Sequence, residues 1–229
     1  MTAFVLGATG FVGREVVRQL CVRGTPTVAH VRPDSSKMSD WRKRFAKYGA
    51  TIDTSPWDGE ALAQGLDRAS ATELYILIGT TRGRAKADNI DGDIYEQIDY
   101  GLTKLAVEAA RHTNAKPRLV YLSGMGADAK ARGAYMRARG RAEDAVRRSG
   151  LAWVIARPAI ITGNRDESRA GGRTAAVVGD GLLAVASVFG AKRLAARYKS
   201  TTPDVLASAL IRLAEAPERD RVAEGAELR

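Results

Sequence analysis

The chain has 229 residues, 45% of them hydrophobic, and 36 Lys and Arg against 26 Asp and Glu give a formal net charge of +10. This length suits one α/β domain with a sizeable core and is too short for two large ones. A single cysteine, Cys21, excludes an internal disulfide and fits a reducing compartment, so a cytoplasmic location is expected.

The first element is the apolar run Ala3-Phe4-Val5-Leu6, which reads as a buried strand and predicts that no signal peptide precedes it. It leads directly into Gly7-Ala8-Thr9-Gly10-Phe11-Val12-Gly13 and a helix whose apolar spacing runs from Phe11 to Leu20. Strand, glycine-rich turn and helix in this order hold a dinucleotide pyrophosphate. Gly7 permits the sharp turn, Gly10 lets backbone approach the phosphates, and Gly13 lets the helix pack tightly. The helix N-terminus then offers free N–H groups to the anion. Thr9, Phe11 and Val12 complete the candidate cofactor-binding turn.

Gly24 suits the position after a helix end, and Thr27 to Val31 follows as a second strand. That strand ends His30-Val31-Arg32-Pro33, where an NAD site places an acid about 20 residues past the glycines. An arginine here pairs its fork with a 2′-phosphate, so Arg32 predicts NADP(H) in preference to NAD(H). Pro33 is expected to turn the nearby Asp34 away.

Further elements alternate. A short strand lies around Thr51-Ile52, a helix over Asp58 to Leu66 and a buried strand over Leu74 to Ile78. A long amphipathic stretch runs from Tyr95 to Arg111, then a strand from Leu119 to Leu122, a helix from Tyr135 to Arg148 and a strand from Trp153 to Ala156. Alternation of this kind forces a doubly wound parallel sheet, here expected as one α/β domain over residues 1–229. From Gly163 the pattern breaks, and 163–229 is expected to add a small lobe on the substrate side. Thr174 to Ala191 is largely apolar, but Asp180 and three glycines make it a docking helix rather than a membrane span. Within it, Leu182 to Phe189 offers a surface for a homodimer. Thr202-Pro203-Asp204 opens a last helix with Thr202 as N-cap, and the charged tail after Pro217 is expected to fray.

The basic residues are dispersed, at Arg42-Lys43-Arg44 beside Trp41 and Phe45, at Arg137 to Arg141, at Arg147-Arg148 and at Lys192-Arg193. No helix-turn-helix, zinc spacing or RNA-binding aromatic motif accompanies them, so no nucleic-acid partner is expected. A solvated surface that attracts an anionic cofactor is the preferred reading. His30 and His112 stand apart from any metal-ligand spacing.

Ser123 follows the fifth strand, and twelve residues later comes Tyr135-Met136-Arg137-Ala138-Arg139. Tyr135 and Arg139, at i and i+4, share a helix face. A tyrosine there can protonate a carbonyl oxygen as hydride reaches its carbon, provided that a fixed cation acidifies it from about pKa 10.

With these residues in view, the chain resembles the atypical short-chain dehydrogenase/reductases, NAD(P)-binding Rossmann proteins. Among them it is most similar to the Tat-interacting-protein-like oxidoreductases and their bacterial relatives. The resemblance spans nearly the whole chain: Gly7 to Gly13, Gly79-Thr80-Thr81-Arg82-Gly83, Leu122-Ser123 with Gly126-Ala127-Asp128, Tyr135 to Gly140, and Arg157-Pro158. It implies that Gly79, Thr80 and Thr81 line the ribose and nicotinamide side, with backbone at Pro158 and Ile160 near the carboxamide. It further implies that Tyr135 is the general acid, that Arg139 lowers its pKa and grips the ribose, and that Ser123 holds the substrate carbonyl.

Two departures stand out. Arg139 occupies the place of the family lysine and cannot release a proton. Ser123-Gly124 stands where two hydroxyl residues are common, so Ser123 reads equally as a structural strand-end hydroxyl. Two functions therefore stay open: an NADP(H)-dependent oxidoreductase of a small carbonyl compound, or a non-catalytic NADP(H)-sensing module that regulates a protein partner.

Overall fold

The computed structural model describes residues 1–80, 92–162 and 200–229. Thr81, Arg82 and Gly83, and the 163–199 stretch with its apolar segment, lie outside the described residues.

Seven strands form one sheet: β1 (Ala3–Leu6), β2 (Thr27–His30), β3 (Thr51–Asp53), β4 (Glu73–Ile76), β5 (Arg118–Leu122), β6 (Trp153–Arg157) and β7 (Arg221–Glu224). All pairs are parallel, in the order β3-β2-β1-β4-β5-β6-β7. Sequence and spatial order diverge between β1 and β4, which opens a crevice at their C-terminal ends, where open α/β sheets take ligands.

Alternation along each strand supplies two cores. Ala3 and Val5 face one side with α1 (Gly13–Val22), Phe45 of α2 (Met38–Ala46) and the helix that ends the chain's second half. Phe4 and Leu6 face the other, with α3 (Gly59–Arg68), α4 (Thr103–His112) and α5 (Ala134–Arg147). Val16, Val17 and Leu20 of α1 are fully buried, each contributing about 1.5–3 kcal/mol relative to exposure. Helix α1 ends as expected, with Gly24 at φ +75. Asp58 caps α3 by accepting from the N–H groups of Glu60 and Ala61, both at 3.0 Å.

Three expectations need correction. The stretch from Tyr95 is not one α-helix: it runs as a π-helix over Tyr95–Leu102 before α4 begins. In α6 (Pro203–Glu215), Thr202 does precede the helix, but its hydroxyl donates to Asp204 Oδ1 at 2.5 Å rather than capping a backbone N–H. The charged tail does not fray. Arg221–Glu224 joins the sheet as β7, and the 3-10 turn Gly225–Leu228 buries Leu228. Beside α2's basic residues, Trp41 and Phe45 stack at 5.8 Å, and Phe45 is fully buried in the core.

Candidate functional site

The glycine turn is shaped by backbone contacts. Gly7 has φ +78, and a Cβ there would lie 2.5 Å from the carbonyl oxygen of Leu77, just past β4. A Cβ on Gly13 would fall 2.1 Å from the Gly7 oxygen, so α1 could not sit this close with any side chain. Gly10 is different: its added Cβ would meet Gly7 oxygen at 3.0 Å and otherwise open space. No backbone acceptor among the described residues takes the N–H of Val12 or Gly13. An open backbone face and unused donors at a helix N-terminus fit a pyrophosphate. Thr9 and Phe11 flank this face, half-buried.

Arg32 lies two residues past β2 and is half-buried. Pro33 does not turn Asp34 away: Arg32 Nε is 3.5 Å from Asp34 Oδ1. The turn after β2 brings the exposed carboxylate back onto the guanidinium. His30, the last residue of β2, pairs its Nε2 with the carbonyl of Ser55 at 2.8 Å, and burial keeps its pKa low.

Across the crevice, Tyr135 stands in the first turn of α5, its ring edge-to-face with Tyr95 at 5.3 Å. A Cβ on Gly124 would lie 3.6 Å from the Tyr135 hydroxyl, so the glycine leaves room beside the phenol. The Arg139 guanidinium lies 5.2 Å from the Tyr135 ring centre, against the ring and not the oxygen.

Arg139 does not reach outward for a ribose. It is 6% exposed, and its Nη2 sits 2.8 Å from Asp99 Oδ1. Its Nη1 donates to the Leu122 carbonyl at 2.7 Å and the Tyr121 hydroxyl at 3.3 Å. Burial alone would weaken its charge, but Tyr121, Tyr135 and Asp99 outweigh that and hold its pKa up. Burial raises the pKa of Asp99, with Arg139 and the Thr80 N–H opposing. Gly79 and Thr80 lie directly over this pair. A Cβ on Gly79 would be 2.5 Å from Arg139 Nη2, and Thr80 N–H donates to Asp99 Oδ2 at 3.3 Å.

Ser123 is likewise turned inward. Its hydroxyl donates to Glu143 Oε1 at 2.6 Å, and both residues are buried. Glu143 also accepts from Arg157 Nε and Nη2, at 2.7 and 2.6 Å, and from Arg147 at 2.7 Å. With its proton committed to a buried carboxylate, Ser123 ties β5, α5 and β6 together. Pro158 is buried, and its carbonyl accepts from Met125 N–H at 3.0 Å.

Asp99 and Glu143 were not singled out from sequence, although one signal was present. Tyr135, Arg139, Glu143 and Arg147 recur every four residues, which makes a single stripe along α5. Nothing comparable marks Asp99.

Comparison with known proteins agrees with this architecture. A family model described as NAD(P)H-binding matches residues 7–189. The chain belongs to that family. It is similar to the Candida albicans protein named "Protein FMP52, mitochondrial", at 31% identity over 183 residues, 77% of this chain and 74% of that one. The Emericella nidulans protein of the same name is 30% identical over 171 residues, 72% of this chain and 69% of that one. The expectation of a cytoplasmic location is overturned by these relatives, whose names place them in mitochondria.

Among solved structures, Bordetella bronchiseptica WbmH in complex with NAD+ superposes with a TM-score of 0.65 at 16% identity, over 97% of this chain and 75% of that one. The anaerobilin reductase ChuY of Escherichia coli O157:H7 gives 0.64 at 17%, over 98% and 95%. At such identities the likeness is one of fold: a parallel Rossmann-like α/β sheet flanked by helices. No helix among the described residues is long and apolar enough to cross a membrane.

Proposed function

We propose that this family member is an NADP(H)-dependent reductase of a small carbonyl compound. The observation that carries the reading is the pairing of two features across one crevice: the glycine turn with Arg32 at the end of β2, and Tyr135 beside the space at Gly124. Gly7, Thr9, Gly10, Phe11, Val12 and Gly13 would cradle the pyrophosphate, and Arg32 the 2′-phosphate. Gly79, Thr80 and Pro158 would flank the nicotinamide side. The bound coenzyme supplies a hydride.

Within the chain, Tyr135 gives its hydroxyl proton to the carbonyl oxygen. Arg139 places its guanidinium charge behind the ring, 5.2 Å from the ring centre. Its partner Asp99 offsets part of that charge.

A second reading, a non-catalytic NADP(H) sensor that regulates a protein partner, draws on Ser123. In this chain the strand-end hydroxyl is bonded to Glu143, and Gly124 brings no second one.

Fluorescence titration with NADPH and NADH tests the first claim. Arg32→Ala is expected to weaken NADPH about 10- to 100-fold and leave NADH nearly unchanged. Carbonyl reduction by Tyr135→Phe should then fall about 10²- to 10⁴-fold. Binding without turnover of any carbonyl would select the sensor, and binding of neither nucleotide would remove both readings.

A further inference from the structure

A fully buried carboxylate, Asp99, stands where three elements meet beneath the β4 loop. It lies in the π-helix Tyr95–Leu102 and is that segment's buried residue. Helices of this pitch are rare and frequently sit at functional sites. Here the turn aims Asp99 inward, and its main chain is fixed as well: Thr103 Oγ1 donates to the Asp99 carbonyl at 2.7 Å.

From there the carboxylate reaches two groups. Oδ2 accepts the Thr80 N–H at 3.3 Å, and Oδ1 lies 2.8 Å from Arg139 Nη2. The guanidinium fills the room under Gly79 that a Cβ would need. Neither Asp99 Oδ1 nor Arg139 Nε has an aligned hydrogen-bond partner. Such a pair is a poor source of stability, since desolvating two charges consumes most of their attraction. Its geometry instead locks a loop.

We propose that Asp99 is a positioning residue: it holds Arg139 beneath Gly79 and anchors the Thr80 N–H, fixing the Leu77–Thr80 loop in the conformation that grips the coenzyme. The inference rests on the reading of this crevice as an NADP(H) site. An arginine deprived of Asp99 cannot neutralise itself by losing a proton. Its charge must then be met by rearrangement, and Gly79 of the loop lies directly against the guanidinium.

Because a lone Asp99 variant leaves a buried charge unpaired, the decisive variant removes both: Asp99→Leu with Arg139→Met, volume-matched and apolar, a type of replacement that often preserves folding. Hydrogen–deuterium exchange of the coenzyme-free protein is read on the peptide spanning Leu77–Thr80, alongside NADPH titration and thermal unfolding. The expected result is a native-like melting temperature, loop exchange faster by about tenfold or more with β1 and β5 unchanged, and NADPH affinity weaker by about tenfold or more.

A folded double variant with native loop exchange or native NADPH affinity would overturn the proposal. Should it not fold, Asp99→Glu, which keeps the charge but displaces the carboxylate by one methylene, is judged by the same two thresholds. Failure of the native protein to bind NADPH would remove the coenzyme reading instead, and loop exchange alone would still decide whether Asp99 holds the loop.

Discussion

The two sides of the crevice are built on different physics. On the β1 side the requirements fall on the backbone: Gly7 must adopt a positive φ, and Gly13 must bring α1 within touching distance of the turn. On the β5 side they fall on charged side chains that come from far along the chain. Arg139 meets Asp99, and Ser123 meets Glu143 and through it Arg157. A backbone requirement is written at the residue that bears it. A side-chain network is written at none of its members, because each residue takes its role from a partner that only the fold supplies.

The sharpest challenge to this contrast uses two glycines, one on each side. An added Cβ on Gly13 would lie 2.1 Å from the Gly7 oxygen, and one on Gly140 in α5 would lie 2.1 Å from the Ala129 nitrogen and the Asp128 carbonyl carbon. Both obstacles are backbone, so neither can step aside. Gly13→Ala and Gly140→Ala should each cost about 3 kcal/mol in urea unfolding. A Gly140→Ala protein as stable as the native one would mean that α5 is free to shift and that its stripe of charges is loosely held.

Ser123→Ala separates structure from chemistry. Glu143 keeps Arg157 and Arg147, so the variant loses one hydrogen bond to a charged acceptor, about 1.5–3 kcal/mol of stability. NADPH affinity and carbonyl turnover per folded molecule should stay at native values. A hundredfold loss of turnover with unchanged unfolding would return Ser123 to the substrate side.

How much was legible follows from the same distinction. Strands β1, β4, β5 and β6 stood out because the middle of each is an apolar run buried on both faces, as parallel sheets require. The seventh strand did not: Arg221–Glu224 is a short edge segment with charge at both ends, and Ala223 is its one buried residue. The π-helix was illegible because widening the turn shifts the pattern by less than hydrophobic spacing can reveal. Arg139 was found by its spacing from Tyr135, yet its direction was misread, since i and i+4 fix a shared face and not what that face meets. Asp99 lies forty residues before Arg139, and only the packing of the π-helix on α5 joins them.

Arg32 stands on the β1 side, where local reading failed over Asp34. The carboxylate lies 3.5 Å from the guanidinium and is 74% exposed. An exposed pair of this kind is worth about 0.2–1 kcal/mol. On the proposed NADP(H) reading, a 2′-phosphate arriving at Arg32 would displace that attraction and meet the repulsion of a second anion. Asp34→Asn removes both effects and should tighten NADPH by up to about fivefold, with NADH flat or weaker. The gain should shrink as salt is raised, because screening already weakens an exposed charge. If NADPH affinity fell instead, Asp34 would be orienting the arginine rather than competing for it, and the β2 end would join β5 as a place where a residue's role is set by its partner.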